Sequence, residues 1–286
     1  MTSTTRRWTN RIALGVAVAT LIAAPSVALA SDNTTSTVVA AHSSPPAAKP
    51  TVVLVHGAWA DASSFAPVTK LLQDDGYTVL AAPNPLRGLA SDAASVAAFV
   101  NQATTGPVVL VGHSYGGAVI TNAALSTPSV TDLVFVDAYA PDKGETVSQL
   151  TGEKPGSMLA AEPSTVFDVV QDPTMPTGNP DLYVKRDLFR SAFAAHLGAG
   201  NAAALAASQS PVTGGALQEP SGDAAWKSIS SWFVIGTADK VIPPAQQRSM
   251  ASRAQGHVTS VFADHLAMLE QPGAVANVID NAATSK

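Results

Sequence analysis

Short, continuous runs of apolar residues alternate along this chain with segments of helical periodicity. The apolar runs are Thr51–Val55, Tyr77–Ala81, Pro107–Val111, Leu133–Val136, Ser231–Ile235 and His257–Phe262. Helical periodicity is found before Gly76 and over Ser91–Ala103, Gly116–Leu125, Pro244–Arg253 and Ala274–Ala282. Runs without polar alternation are typical of strands buried on both faces of a parallel sheet. The pattern therefore predicts an α/β fold with a doubly wound, mostly parallel sheet.

The alternation of strands and helices is interrupted between Ala140 and Ala225. Prolines are frequent between Pro155 and Pro180, and Asp187–Ala207 is an alanine-rich segment of helical character. A separate domain would be one explanation, but the sheet pattern resumes afterwards. We therefore predict an inserted helical cap over about residues 141–224.

The first 30 residues have the pattern of a secretory signal peptide. Arg6, Arg7 and Arg11 precede the apolar stretch Ile12–Ala24, and Ala28-Leu29-Ala30 has the form of a cleavage site. A membrane anchor is the alternative, but the stretch falls short of the about 20 apolar residues that a spanning helix needs. We expect export by the Sec or twin-arginine route, to the periplasm or the medium, with no stable membrane anchor after cleavage. Residues 31–49 are predicted to be a flexible linker before a domain over 50–286.

Composition excludes several classes of protein. The chain has 286 residues, of which 46% are hydrophobic and 13% charged, so it is too apolar for a disordered chain. It has no cysteine, which excludes disulfides, thiolate metal sites and a cysteine nucleophile. A formal net charge of −5 gives no reason to expect a nucleic-acid partner.

The motif most indicative of chemistry is Gly112-His113-Ser114-Tyr115-Gly116. It follows a predicted strand and precedes a predicted helix, which is the context of a Gly-x-Ser-x-Gly nucleophile elbow. Such a turn exposes the serine hydroxyl and directs the next backbone N–H, that of Tyr115, at a developing oxyanion. A glycine-rich turn that only packs is the alternative. We predict that Ser114 is a nucleophile.

A serine nucleophile needs a general base that is oriented by a carboxylate. In this fold the chain order is serine, acid, histidine. Three histidines follow Ser114, and His265, in the loop after the last predicted strand, is the candidate base; His196 and His257 fit packing or surface roles. We expect the rate to fall below about pH 6–7 as the histidine is protonated.

The candidate acid is Asp239, in the loop after the predicted strand Ser231–Ile235. Asp137 and Asp264 are its competitors, although helix capping is the simpler role for Asp264. The second oxyanion donor should be the backbone N–H of Ala58, which lies in the loop after the first strand. The candidate pocket-lining residues are Trp59, Phe65, Asp137 and Leu266.

These motifs together resemble the α/β-hydrolase superfamily, in its compact esterase and hydroxynitrile-lyase-like branch. The matching pieces are His56-Gly57-Ala58-Trp59, the Ser114 elbow, Val136-Asp137-Ala138-Tyr139-Ala140-Pro141, Gly236-Thr237-Ala238-Asp239 and Asp264-His265-Leu266. The resemblance runs from about Pro50 to Ala282 and implies a Ser114, Asp239 and His265 triad. It also implies oxyanion donors at Ala58 and Tyr115, and no metal or other cofactor.

Two departures from the family pattern narrow the expected chemistry. Hydroxynitrile lyases of this branch have a lysine after the catalytic histidine and a threonine after the first-loop histidine, where this chain has Leu266 and Gly57. Ser114 also disfavours the dehalogenases and epoxide hydrolases that use an aspartate nucleophile. The sequence therefore predicts a serine hydrolase that cleaves small to medium carboxylic esters. A lactonase or amidase, or a ligand-binding protein on the same scaffold, are the alternatives.

Overall fold

The computed structural model describes residues 49–285. The predicted signal peptide over 1–30, and the predicted linker over 31–49 apart from Lys49, lie outside the described residues. Within residues 49–285, no helix has the length and apolar character needed to cross a membrane.

The first part of the described chain alternates strands with helices, as the hydrophobic pattern predicts. Its elements are β1 (Thr51–Val55), α1 (Ala66–Asp74), β2 (Val79–Ala81), α2 (Leu89–Ala103), β3 (Val108–His113), α3 (Tyr115–Ala123) and β4 (Val130–Val136). The valine- and leucine-rich strands β1, β3 and β4 are almost wholly buried, because both faces of the sheet are covered. Strand β2 is shorter than predicted, and β4 begins three residues earlier.

The segment between β4 and the next strand of the main sheet forms the cap. Its elements are α4 (Val147–Glu153), α5 (Pro163–Val166), β5 (Phe167–Val170), β6 (Asp181–Val184), α6 (Arg186–Phe193), α7 (Ala199–Ala207), β7 (Val212–Thr213) and α8 (Gly214–Gln218). Strands β5, β6 and β7 form an antiparallel sheet, which the sequence analysis did not anticipate. These strands have only two to four residues, too few for a period-2 pattern to be visible.

The last part of the chain completes the main sheet. Its elements are β8 (Ser230–Gly236), α9 (Pro244–Arg253), β9 (His257–Val261), α10 (Ala267–Glu270) and α11 (Pro272–Thr284). The six strands of the main sheet are all parallel and lie in the order β2-β1-β3-β4-β8-β9. The predicted α/β class with a parallel sheet is confirmed.

The helices cover the sheet and leave one edge for the site. Helix α11 packs on β3, β4 and β8 with α1 beside it, whereas α3 packs on β1, β3 and β4 with α2 beside it. Because all six strands are parallel, their carboxyl ends meet at one edge of the sheet. The loops that carry the predicted site residues follow β1, β3, β4, β8 and β9, so the topology brings these loops together at that edge.

Candidate active site

Ser114 lies at the sharp turn between β3 and α3. Its backbone has φ 52° and ψ −123°, a conformation that costs a residue with a side chain about 1–3 kcal/mol. The turn needs its flanking glycines: a Cβ atom on Gly112 would lie 2.6 Å from the Gly116 carbonyl oxygen, and one on Gly116 would lie 2.5 Å from that of Val55. The close approach of strand, turn and helix therefore depends on residues that have no side chain.

Ser114, His265 and Asp239 form one hydrogen-bonded chain. The Ser114 hydroxyl Oγ lies 2.8 Å from His265 Nε2, and His265 Nδ1 lies 2.9 Å from Asp239 Oδ2. The three residues are 2%, 0% and 4% exposed, respectively. The structure thus brings together the three residues that the sequence analysis selected. A serine hydroxyl, an imidazole and a carboxylate in this order are the arrangement that activates serine for acyl transfer.

The Asp239 carboxylate is fixed by donors from its own loop and from α9. Its Oδ1 accepts hydrogen bonds from the N–H groups of Val241 (2.7 Å) and Ile242 (3.0 Å), and its Oδ2 accepts one from Gln247 Nε2 (2.7 Å). Burial raises the pKa of Asp239, and the two backbone donors act in the opposite direction. The same oxygen, Oδ2, also lies within hydrogen-bonding distance of His265 Nδ1.

His265 is enclosed by aromatic rings. The ring of Phe193, from α6 of the cap, meets it edge-to-face at 5.2 Å, and the ring of His113 lies 4.9 Å away. His113 also donates a hydrogen bond from Nε2 to the His265 carbonyl oxygen, at 2.9 Å. Burial lowers the pKa of His265 to about 3, and the charge of Asp264 opposes this shift.

Asp137 joins the loops that carry the acid and the histidine. It directly follows β4, and its Oδ1 accepts a hydrogen bond from the Gly236 N–H (2.6 Å) while its Oδ2 accepts one from the Ala267 N–H (3.0 Å). It makes no hydrogen bond to His265, so it does not take the place of Asp239. Burial, together with the charge of Asp239, raises the pKa of Asp137.

The two predicted oxyanion donors border the same space as the serine. Ala58, Tyr115 and Ser114 all line one cavity of about 600 Å³. The loop after β1 lies directly against the elbow, because a Cβ atom on Gly57 would be 2.7 Å from Ser114 Cβ. Within residues 49–285, neither the Ala58 nor the Tyr115 N–H donates a hydrogen bond to another residue. Both groups can therefore bind an atom that enters from the cavity.

The cavity lies between the main sheet and the cap. Trp59 and Tyr139 line it from the loops after β1 and β4, and Tyr115 lines it from the start of α3. Phe167 and Leu182 line it from the cap. The Trp59 indole donates a hydrogen bond to the Leu182 carbonyl oxygen (2.8 Å), and its ring stacks on that of Phe167 at 5.6 Å. Trp59 therefore lines the cavity and also links the loop after β1 to the cap.

The other three candidate lining residues do not line this cavity. Phe65 is buried beneath the site, with its ring edge-on to His113 at 6.4 Å. Asp137 turns toward backbone N–H groups, and Leu266 is 3% exposed at the start of α10. Proximity to a motif in sequence does not fix the direction of a side chain, and here that direction leads into the core.

Three further contacts were missed by the sequence analysis. Asp92, in the first turn of α2, is fully buried and accepts a hydrogen bond from the Tyr115 hydroxyl at 2.8 Å. Asp264 Oδ2 accepts a hydrogen bond from the backbone N–H of His196 in the cap (2.7 Å), and the ring Nδ1 of His196 lies 2.9 Å from the same oxygen. Asp264 is therefore not a simple helix cap. No local sequence signal reveals these contacts, because each joins residues that are far apart in the chain.

Comparison with known proteins agrees with this architecture. The sequence model described as "Alpha/beta hydrolase family" matches residues 52–278. The carbendazim hydrolyzing esterase of Nocardioides sp. (strain SG-4G) is 32% identical over 110 residues, which cover 34% of this chain and 46% of that protein. The match thus spans less than half the length of this curated relative.

Solved structures show the same fold at low sequence identity. The pyrethroid hydrolase of Sphingobium faniae JZ-2 has a TM-score of 0.65 at 22% identity, over 82% of this chain and 98% of that one. An extracellular alpha/beta-hydrolase from a Paenibacillus species has a TM-score of 0.66 at 23% identity, over 82% and 99%. Polyneuridine aldehyde esterase has a TM-score of 0.68 at 18% identity, over 82% and 99%. The parallel sheet, the elbow turn and the matched sequence model lead to one conclusion: this chain belongs to the alpha/beta hydrolase family.

Proposed function

We propose that this chain is an exported serine esterase that cleaves small to medium carboxylic esters through an acyl-enzyme. The hydrogen-bonded chain of Ser114, His265 and Asp239 carries the proposal, since it joins a nucleophile, a base and an orienting carboxylate in one line. The esterase names of several relatives support the ester bond as the target. Export rests on the pattern of residues 1–30 alone.

In the acylation step Ser114 attacks the ester carbonyl carbon. His265 Nε2 takes the hydroxyl proton and then donates it to the departing alkoxide, so the alcohol leaves neutral. Asp239 accepts the Nδ1–H of His265, which keeps Nε2 free to act as the base and stabilises the imidazolium. Water then attacks the acyl-enzyme with the same histidine as base, which releases the acid and restores Ser114.

The negative charge of the tetrahedral intermediate falls on the former carbonyl oxygen. The N–H groups of Ala58 and Tyr115 border the cavity beside Ser114 and are the donors assigned to this oxygen. Each such donor typically contributes about 10²–10³-fold to the rate. This chemistry uses no metal and no other cofactor.

The cavity indicates the size and character of the ester. Its volume of about 600 Å³ falls in the range of sites for small ligands, and Trp59, Tyr139, Phe167 and Leu182 give it apolar walls. Esters with a compact apolar or aromatic group fit such walls.

The test is hydrolysis of p-nitrophenyl esters from acetate to palmitate by the exported protein, whose N-terminal sequence should begin at Ser31. We expect activity to be highest with short chains. Ser114→Ala should lower kcat/KM by roughly 10⁴–10⁶-fold, because the nucleophile is lost. Ser148→Ala is the matched control, since Ser148 also lines the cavity but lies outside the hydrogen-bonded chain.

Full activity in the Ser114→Ala protein would refute the mechanism. If the wild-type protein cleaves lactones or amides and leaves every ester intact, the protein is a lactonase or an amidase and not an esterase. Tight retention of a ligand without turnover would favour a binding protein instead.

A further inference from the structure

A cluster of three side chains joins the cap to the loop that carries His265. His196 lies between α6 and α7 of the cap, Asp264 directly precedes His265, and Glu270 ends α10. His196 Nδ1 lies 2.9 Å from Asp264 Oδ2 and 3.8 Å from Glu270 Oε2. One ligand-type atom from each of the three residues lies within 4.8 Å of the others. The esterase mechanism uses none of these three groups.

The cluster contains two carboxylates that are almost wholly withdrawn from solvent. The side chains of Asp264 and Glu270 are only 3% and 5% exposed. Among the described residues, neither carboxylate forms an ion pair with a lysine or an arginine, and His196 is their one basic partner. Buried carboxylates are costly unless a cation or a sufficient set of donors compensates them.

A second observation points to a ligand at the same place. Glu270 Oε2 lies 3.8 Å from His196 Nδ1, and the other oxygen of the same carboxylate, Oε1, is buried and has no hydrogen-bond partner within residues 49–285. Such atoms are uncommon, because an unpaired buried acceptor loses its hydration without compensation. A cation bound beside the carboxylate would supply the missing partner.

We propose that His196, Asp264 and Glu270 form a site for a first-row divalent transition-metal ion such as Zn²⁺. One imidazole and two carboxylates suit Zn²⁺ better than Ca²⁺ or Mg²⁺, which prefer all-oxygen sets. Ligand atoms about 2.0–2.1 Å from a tetrahedral Zn²⁺ lie about 3.3 Å apart, a separation between the 2.9 Å and 3.8 Å measured from His196 Nδ1.

The surroundings of the cluster are suited to such an ion. The His196 side chain is 42% exposed, so an ion has access from solvent and water can complete its coordination. The Asp264 N–H donates to Glu270 Oε2 (3.1 Å) and the His196 N–H donates to Asp264 Oδ2 (2.7 Å), which orients both carboxylates. An ion here would fasten the cap to the loop of His265.

The test is calorimetric titration of the chelator-treated full chain with ZnCl₂, carried out on the wild type and on Ser114→Ala. We expect one saturable site in both proteins, so this result does not depend on esterase activity. His196→Gln and Glu270→Gln should each weaken binding by at least about tenfold. His257→Gln, which changes an exposed histidine on β9 outside the cluster, should leave affinity unchanged. MgCl₂ should not compete.

Two results would overturn the proposal. One is the absence of saturable Zn²⁺ binding to the folded wild-type protein, which would mean that a proton balances the buried carboxylates. The other is binding that both His196→Gln and Glu270→Gln leave unchanged, which would place the ion at other histidines. A thermal-unfolding scan should agree with the titration: Zn²⁺ should raise the Tm of the wild type and not that of His196→Gln.

Discussion

At the scale of single residues, Asp137 shows how a buried carboxylate can organise a site without entering it. Its φ of 44° at the end of β4 turns the side chain toward the neighbouring loops. One oxygen accepts a hydrogen bond from the Gly236 N–H, at the end of β8. The other accepts one from the Ala267 N–H, two residues after His265. The loop of the acid and the loop of the base are thereby fixed to the same group.

We predict that Asp137→Asn lowers kcat of ester hydrolysis by about 10–100-fold with little change in KM. The amide has one acceptor oxygen, so its NH₂ group must face one of the two N–H donors, a loss of about 1.5–3 kcal/mol. Asp132→Asn is the control, because Asp132 lies in β4, the strand that Asp137 follows, and contacts Trp232 instead of a site loop. Steady-state kinetics that show an unchanged kcat would refute this positioning role.

The residues that could be selected from the sequence are those whose place follows from their order in the chain and from their position just after a predicted strand. Ser114 and Asp239 follow the apolar, buried strands β3 and β8, and His265 follows the exposed edge strand β9, so a parallel sheet brings their loops to one edge. The sequence could not predict the direction of Asp137, Phe65 or Leu266. Those directions depend on backbone dihedrals and on partners from other loops, neither of which leaves a periodic signal.

At the scale of elements, the cap helix α6 controls the solvation of the base. Its Phe193 packs edge-on to His265 and also against Trp59, so the cap encloses the imidazole as well as the substrate cavity. Burial disfavours the imidazolium form, and the histidine therefore becomes protonated only at lower pH than usual. The acid limb of the rate should thus lie below the pH 6–7 that the sequence alone suggests.

We predict that Phe193→Ala moves the acid limb of kcat/KM to higher pH, toward the ordinary histidine value near 6.5. Water that reaches the ring reduces the penalty for charging it, which raises its pKa. Rates are measured from pH 4 to 9, and the activity of each sample is measured again after its return to pH 7. Recovered activity shows that the lower rate came from titration and not from unfolding. Leu188→Ala, in the same helix but only partly buried, should leave the limb in place. An unmoved limb in Phe193→Ala would contradict this account.

The elements of the cap were harder to predict than those of the main sheet. The alanine-rich segment Asp187–Ala207 contains two helices, α6 and α7, and not one, because the chain leaves the helical conformation at Ala194 (φ −147°). Strands β5, β6 and β7 pair across long separations and are stabilised by contacts with Trp59 and with each other. Their residues include strand formers such as Phe167, Val169 and Tyr183, but each strand is too short for this preference to be distinguished from a loop.

At the scale of the whole molecule, buried histidines link stability to pH. Burial lowers the pKa values of His56, His113 and His265, whereas in the unfolded chain these groups titrate near 6.5. Below that pH the unfolded chain binds protons that the folded chain excludes, so stability is lost as the pH falls. Asp137 and Asp239, whose pKa values burial raises, act in the opposite sense, because the folded chain then keeps protons that the unfolded chain releases.

We predict that His113→Gln loses less free energy of unfolding than the wild type when the pH is lowered from 7 to 5, because it lacks one histidine that excludes a proton in the folded state. Each excluded proton contributes up to about 1.4 kcal/mol per pH unit, and the glutamine removes one such site. Urea unfolding at pH 7, 6 and 5 measures the slope. His257→Gln, on the exposed edge strand, should keep the wild-type slope. Equal slopes for His113→Gln and the wild type would show that His113 excludes no proton.

The position of the cap between β4 and β8 also constrains how the chain folds. These strands are neighbours in the sheet although the whole cap separates them in sequence, so β4 has an open, apolar edge until β8 has been synthesised. Loop-closure entropy grows slowly with length and permits such an insertion at equilibrium, but distant pairings of this kind fold slowly. A nascent chain that ends within the cap would expose an unpaired strand to its neighbours, and it is at this stage that aggregation and the need for a chaperone should be greatest.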